Sequence, residues 1–338
     1  MAEAAIPQRT GGRSLLMTVG RQRELTLLAI MVALGAIVSL MAPQFLTLNN
    51  FRQVSVLASI TAIAALGQAL VIITRGIDLS VESMIGLVAY SIARSLELQL
   101  VDPAGALGMA LFIGLGLGMV NGFIIAVLKV PPIVATLGTL SIFRGIDYII
   151  AGPDQVPLAG LPEGFTDIAR ADVFGIPVFV IGTVAIVIAG SLLLRSTRFG
   201  RQIYAVGSNP EAAEILGIPS RRVIFVAYSA CGMLAGLAGI MWVIQFGTIN
   251  GTAATGATLA IVAAVVVGGV NTLGGSGTLA GAAIGALFLG FIANALILVG
   301  LSQFWLQAIY GVVILLAISS DQLIRRGVER ANTRSGAR

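Results

Sequence analysis

Histidine is absent from all 338 residues of this chain, and lysine and cysteine occur once each, as Lys129 and Cys231. Losing the imidazole removes the commonest general base, metal ligand and physiological pH switch together. A single cysteine permits no intrachain disulfide. No G-x-x-x-x-G-K-[ST] run exists, and the one lysine follows no glycine loop, so the chain supplies no nucleotide energy of its own. A G-x-S-x-G elbow and a metal-ligand cluster are also missing, which argues against an intramembrane enzyme and calls for no cofactor or metal. Charge is scarce as well. Only 10% of residues are charged, where soluble domains carry about 25%.

What fills the chain instead is apolar sequence: 57% of residues are hydrophobic. This is the composition of a polytopic membrane protein, and at about 20 residues per span the length holds on the order of ten helices. The basic excess is not spread evenly. Four arginines precede the first apolar run (Arg9, Arg13, Arg21, Arg23), five lie between 195 and 222 (Arg195, Arg198, Arg201, Arg221, Arg222), and five follow the last (Arg325, Arg326, Arg330, Arg334, Arg338). Clusters of this kind mark cytoplasmic segments rather than a nucleic-acid surface. The expected organisation is a cytoplasmic tail at 1–24, one transmembrane domain at 25–321 with a cytoplasmic loop at 195–222, and a cytoplasmic tail at 322–338.

Apolar runs predict spans near 25–42, 51–74, 81–96, 104–128, 133–150, 175–194, 223–246, 256–271, 279–301 and 303–320. Six precede the 195–222 island and four follow it, both even numbers, as a cytoplasmic island between cytoplasmic ends requires. The same parity places Arg75, Lys129 and the glycine-rich turn at 268–277 inside, and the acidic loop 151–174 outside. Glycines recur at four-residue spacing at 114, 118 and 122 and at 277, 281 and 285, a pattern that lets helix backbones approach closely in lipid. Asn121 and Asn294 accompany these two stripes in oppositely directed spans, which suggests two halves related as an inverted repeat.

Five segments are candidates for function. In the island, Ser208 or Asn209 is placed to cap a helix that starts at Pro210 and Glu211, and Gly217 followed by Pro219 is a natural stop. This reads as a docking helix for a soluble partner, with a solvated turn as the plain alternative. RGIDLSVES, residues 75–83, sets Asp78 and Glu82 at a helix junction. Ser80 as a cap near the cytoplasmic interface is the favoured reading there, and a pathway or gate role the other. A second R-G-I-D at Arg144–Asp147 reads as coincidence. VPPIVATLGT, residues 130–139, holds Pro131 and Pro132 beside Thr136 and Thr139, either a plain turn or a broken helix at a constriction. The turn GGVNTLGGSGTLAG, residues 268–281, reads as a place of close backbone contact.

FLTLNNF (45–51), ITRGIDLSV (73–81), VPPIVATLGTLSIFRG (130–145), FGRQIYAVGSNPEAAEILGI (199–218), VVVGGVNTLGGSGTLAGAAIGAL (265–287) and SQFWLQAIYGVVILLA (302–317) together resemble the membrane-spanning permease subunits of ribose-type monosaccharide ABC importers. The resemblance implies an all-α, roughly ten-helix type II importer permease with an inverted repeat. It also implies a multi-pass bacterial inner-membrane location and three partners: a cytoplasmic ABC ATPase, an extracytoplasmic sugar-binding protein, and a second permease copy as homodimer or heterodimer. Gly207, Ser208, Asn209, Pro210, Glu211, Ala212, Ala213 and Gly217 would form the coupling helix that fits the ATPase. The cargo implied is a pentose, deoxyhexose or related furanosyl compound or polyol. Nucleoside and branched-chain amino acid permeases are the near alternatives, and an ATP-independent transporter or channel the distant one. Two departures stand out against the family pattern: Glu82 replaces a usual glycine, and the acid often found near Thr258 or Ala260 is missing.

Overall fold

A computed structural model describes residues 11–302, 304–316 and 319, with side chains from Leu25 onward. Most of the expected tails, including Arg9 and the five C-terminal arginines, lie outside the described residues. The described chain is all-α apart from four two-residue strands. Its helices are α1 (Gly11–Met41), α2 (Leu48–Ile73), α3 (Val81–Glu97), α4 (Pro103–Ala126), α5 (Pro132–Ala151), α6 (Val178–Ser196), α7 (Arg198–Ser208), α8 (Pro210–Ile215), α9 (Ser220–Phe246), α10 (Ala257–Val267) and α11 (Leu279–Leu298). A twelfth, α12, covers Trp305–Leu316.

By length and composition, α2, α4, α5, α6, α9 and α11 qualify to cross a membrane, and Leu25–Met41, α10 and α12 are shorter apolar helices. The lengths are less uniform than the sequence suggests. The expected span 256–271 is an 11-residue helix, α10, followed by an irregular glycine-rich turn. The most apolar window of α2 is 83% buried and that of α6 17%, so α2 is central and α6 peripheral.

Glycine sets the tightest packing. In α4, a Cβ on Gly114 would lie 2.7 Å from the Gly236 Cα, and one on Gly118 would lie 2.9 Å from the Gly232 Cα of α9. Side chains on Gly232 and Gly236 would in turn strike the carbonyls of Gly114 and Ala110. The two helices therefore touch backbone to backbone, which in lipid replaces the hydrophobic effect as the source of association. The second expected stripe does the same, since Gly281 and Gly285 of α11 press on the carbonyls of Gly268 and Ala264. At the opposite end of α11, Phe291 meets Phe45 edge-on at 4.8 Å, and Asn294 exchanges hydrogen bonds with Asn50 at 2.8 and 2.9 Å.

Residues 152–177 connect α5 to α6 through two short strand pairs and 3-10 turns. There β1 (Gln155–Val156) pairs with β4 (Ile249–Asn250), and β2 (Asp172–Val173) pairs with β3 (Ile176–Pro177). Arg52 at the start of α2 ties to Asp172 at 2.8 Å.

Candidate functional site

The 195–222 island folds as two helices rather than one. Thr197 caps α7 by accepting from the Gly200 N–H at 3.0 Å, and α7 buries Ile203 and Val206 on one face. The helical character of this arginine-rich stretch was not foreseen from the sequence. Asn209, not Ser208, caps α8: its side chain accepts from the Ala212 N–H at 3.1 Å, with Pro210 in the first turn and Glu211 at the positive end of the dipole. Gly217 takes a left-handed φ of 75° and Ile218 N–H returns to the Ala213 carbonyl at 2.9 Å, closing the helix. Ala213 is the buried anchor of α8, while Ser208, Asn209, Glu211, Ala212 and Gly217 are exposed and Pro210 is half-buried. Beyond them, Ile215 and Leu216 are 86% and 79% exposed. The sequence reading missed this apolar pair because both residues fit the helix pattern and nothing local shows which face is free.

Gly207, at the joint between α7 and α8, is buried against the end of α2, where any side chain would overlap the Ile73 carbonyl. The glycine-rich turn lies on the other side: Gly275 N–H donates to the Ile73 carbonyl at 2.9 Å, and Tyr204 donates to the Gly277 carbonyl at 2.9 Å. Burial raises the Tyr204 phenol above its ordinary pKa, which keeps it a donor. Arg75 completes the joint. Its Nε donates to the Gly207 carbonyl at 2.6 Å and its NH2 to the Ser208 carbonyl at 2.5 Å.

From Arg75 the chain runs extended into the bundle. Ile77 accepts from the Thr136 hydroxyl at 3.3 Å, and Leu79 accepts from the Thr258 hydroxyl at 3.2 Å. With its amide turned to satisfy both partners, Gln68 brackets the Asp78 backbone at 3.1 and 3.2 Å. The buried Asp78 carboxylate accepts from Ser80 N–H at 2.9 Å, Ser80 hydroxyl at 2.6 Å and Asn121 at 3.1 Å. Ser80 therefore does not cap α3 with its side chain, as the sequence led us to expect. Its hydroxyl is drawn instead to the Asp78 carboxyl two residues back.

Glu82 reaches beyond its own helix. Its carboxylate accepts from the N–H groups of Gly256 and Thr258 at 3.0 and 3.1 Å, so it closes the N-terminus of α10. Beside it, Arg144 donates to Asp147 at 3.3 Å, to the Gly251 and Ala253 carbonyls at 3.2 and 3.0 Å, and to the Glu82 carbonyl at 3.4 Å. Arg144 and Asp147 of the second R-G-I-D sit one turn apart on α5 and meet Glu82, while Arg75 and Asp78 of the first copy have other partners. Gly86 makes room, since a Cβ there would lie 2.7 Å from the Arg144 guanidinium. Arg144 lies twelve residues from Pro132, about 18 Å along α5, so this cluster is buried in the half of α5 remote from its proline start.

Pro131 and Pro132 start α5 rather than breaking it, with Pro131 as N-cap and Pro132 in the first turn. Thr136 and Thr139 are buried, and Thr139 bonds only its own helix, to the Thr136 carbonyl at 3.4 Å. Asp78, Ser80 and Thr136 are brought together along one line, and Pro131, Pro132 and Thr139 stand apart from it. Among the described residues no group of acids, histidines and cysteines is arranged to hold a metal.

Residues 50–318 match the model of a family described as branched-chain amino acid transport system / permease component. The ribose import permease protein RbsC of Escherichia coli (strain K12) is 37% identical over 325 residues, covering 93% of this chain and 98% of that one. The autoinducer 2 import system permease protein LsrC of Yersinia enterocolitica serotype O:8 is 35% identical over 312 residues, 92% and 86% of the two chains. LsrC of Escherichia coli O9:H4 (strain HS) is 35% identical over 316 residues, 94% and 92%. No solved structure gives a significant match.

Proposed function

The chain belongs to the family of branched-chain amino acid transport system / permease components, and on that premise we propose that it forms the translocation pathway of an ATP-driven ABC importer for a small sugar. A pentose, deoxyhexose, or related furanosyl compound or polyol is the cargo class. A permease of this family is a transport subunit, so the energy comes from elsewhere. A cytoplasmic ATPase pair drives it, an extracytoplasmic binding protein delivers the sugar, and a second permease copy, identical or not, completes the pathway. Both ends and the 195–222 loop face the cytoplasm of a bacterial inner membrane.

The observation that carries the coupling is α8. It is a short helix closed at both ends, presenting Ile215 and Leu216 outward from a chain with no phosphate loop of its own. Such a rigid element transmits a push as a body. The segment 77–80, with Asp78, Ser80 and Thr136, borders the pathway as its gate, because irregular backbone at membrane depth persists only where it is buried in protein or lines a cavity. The cargo class rests on the relatives, whose names specify ribose and autoinducer 2 over nearly the full chain. The family's description keeps one other reading in play, an amino acid permease.

Reconstitution in proteoliposomes with its ATPase and binding-protein partners tests both. ATP-dependent accumulation of labelled ribose or a related sugar, and not of leucine, is expected. Leucine uptake would favour the other reading, and uptake by this chain alone would sink the importer-subunit assignment.

A further inference from the structure

Arg75 is one of the few non-glycine residues held at positive φ, 68°, a conformation that costs an ordinary side chain strain. The fold keeps it there, and what the strained backbone achieves is visible in its contacts. Turning the chain left-handed at the end of α2 swings the guanidinium back over the α7–α8 joint, where it holds the two last carbonyls of α7, those of Gly207 and Ser208. A cation at a helix C-terminus also suits the dipole there. The same turn sends the backbone after Arg75 away from the joint and into the bundle.

That onward segment is short and tied at almost every residue. Gly76 is wedged against the Tyr228 ring of α9, leaving no room for a Cβ. Ile77 is bonded to α5, Asp78 to α2 and α4, Leu79 and Glu82 to the start of α10. Seven residues therefore link the joint beside α8 to the buried cluster of Glu82, Arg144 and Asp147. Chains of bonded groups of this kind carry coupling between distant sites when both ends bias the same element. α8 itself makes no hydrogen bond to any of these pathway elements among the described contacts; its nearest connection to them is the joint that Arg75 grips.

From this arrangement we infer that Arg75 is a positioning residue that transmits movement of the coupling loop to the 76–82 segment. It touches neither sugar nor ATP. The inference rests on the reading of 195–222 as the ATPase-coupling loop. Removing the guanidinium would leave α8 free to rock against α2 while the pathway segment stays put, so hydrolysis would continue without proportionate transport.

The test uses the complete importer in proteoliposomes and compares Arg75→Gly with Arg75→Lys. Glycine keeps the left-handed backbone and deletes the side chain; lysine keeps the charge but cannot bond both carbonyls from one planar group. In Arg75→Gly, ATP hydrolysis persists while sugar accumulated per ATP falls about tenfold, within the range of linked-site coupling, and Arg75→Lys falls between it and the native complex. KM for the loaded binding protein stays put. A native uptake-to-hydrolysis ratio in Arg75→Gly would overturn the inference. So would failure of that variant to assemble combined with a native ratio in Arg75→Lys, because the side chain would then be a folding contact alone. Absence of ATP-dependent uptake by the native complex would instead remove the importer reading itself, so the two failures are distinguishable.

Discussion

Arg144 joins two carboxylates and two loop carbonyls inside the bundle, so its removal leaves Asp147 and Glu82 side by side with no cation between them. Breaking one partner of a buried ion pair costs about 3–5 kcal/mol. Arg144→Ala should therefore unfold in detergent at a clearly lower temperature than the native permease, read by a thermal shift of the purified protein. Adding Asp147→Asn removes one of the orphaned charges and should recover part of the loss. Recovery is the diagnostic, since a simple packing defect at Arg144 would not respond to a change at 147. This site was only half legible in the sequence. Asp78 and Glu82 announced themselves as acids in an apolar setting. Their surroundings did not, because apart from Ser80 and Gln68 the partners come from α4, α5 and the start of α10, more than forty residues away. The second R-G-I-D was visible as letters, but the meeting of its Arg144 with Glu82 is a tertiary fact.

Glycines on one helix separate into two kinds according to what faces them. On α4, Gly118 abuts the backbone of α9, whereas Gly116, two residues earlier, has nothing within 4 Å of where a Cβ would stand. Gly116→Ala should be neutral or slightly stabilising, since alanine gains roughly 0.5–1 kcal/mol over glycine inside a helix. Gly232→Ala on the facing helix places a methyl on the Gly114 carbonyl and must push the helices apart. It should lower the thermal midpoint in detergent, and equal midpoints for the two variants would remove the backbone-contact account of this crossing. At this scale the sequence was a good guide to α4 and α11, whose four-spaced glycines were plain. The answering pair in α9, Gly232 and Gly236, was passed over, because it sits in a run of alanines and glycines with no single register. The same limit explains α7: its arginines read as charge punctuation, while Ile203 and Val206 one turn apart carry the face that folds it onto the bundle.

For the molecule as a whole, on the importer reading proposed above, the question is how a chain without a phosphate loop of its own would receive work from an ATPase. Ile215 and Leu216 stand exposed at the end of α8, with the exposed carboxylates of Glu211 and Glu214 on the same short helix. At six residues α8 is too short to span a membrane, so neither belongs to a spanning helix. An apolar pair with a polar rim is the anatomy of an interface core, where a few side chains carry most of the binding energy. Replacing both by aspartate keeps the caps of α8 intact, because Asn209, Pro210 and Gly217 are untouched, yet it puts two charges where the partner needs apolar contact. Desolvating them costs more than the native pair gains, and a loss of about 2 kcal/mol or more is typical of such central positions. That corresponds to a fall in affinity for the ATPase of more than tenfold. Copurification of the ATPase with Ile215→Asp/Leu216→Asp should drop accordingly while the permease itself keeps its native thermal midpoint. Undiminished copurification would place the ATPase contact elsewhere on this face, on the polar residues from Ser208 to Ala212.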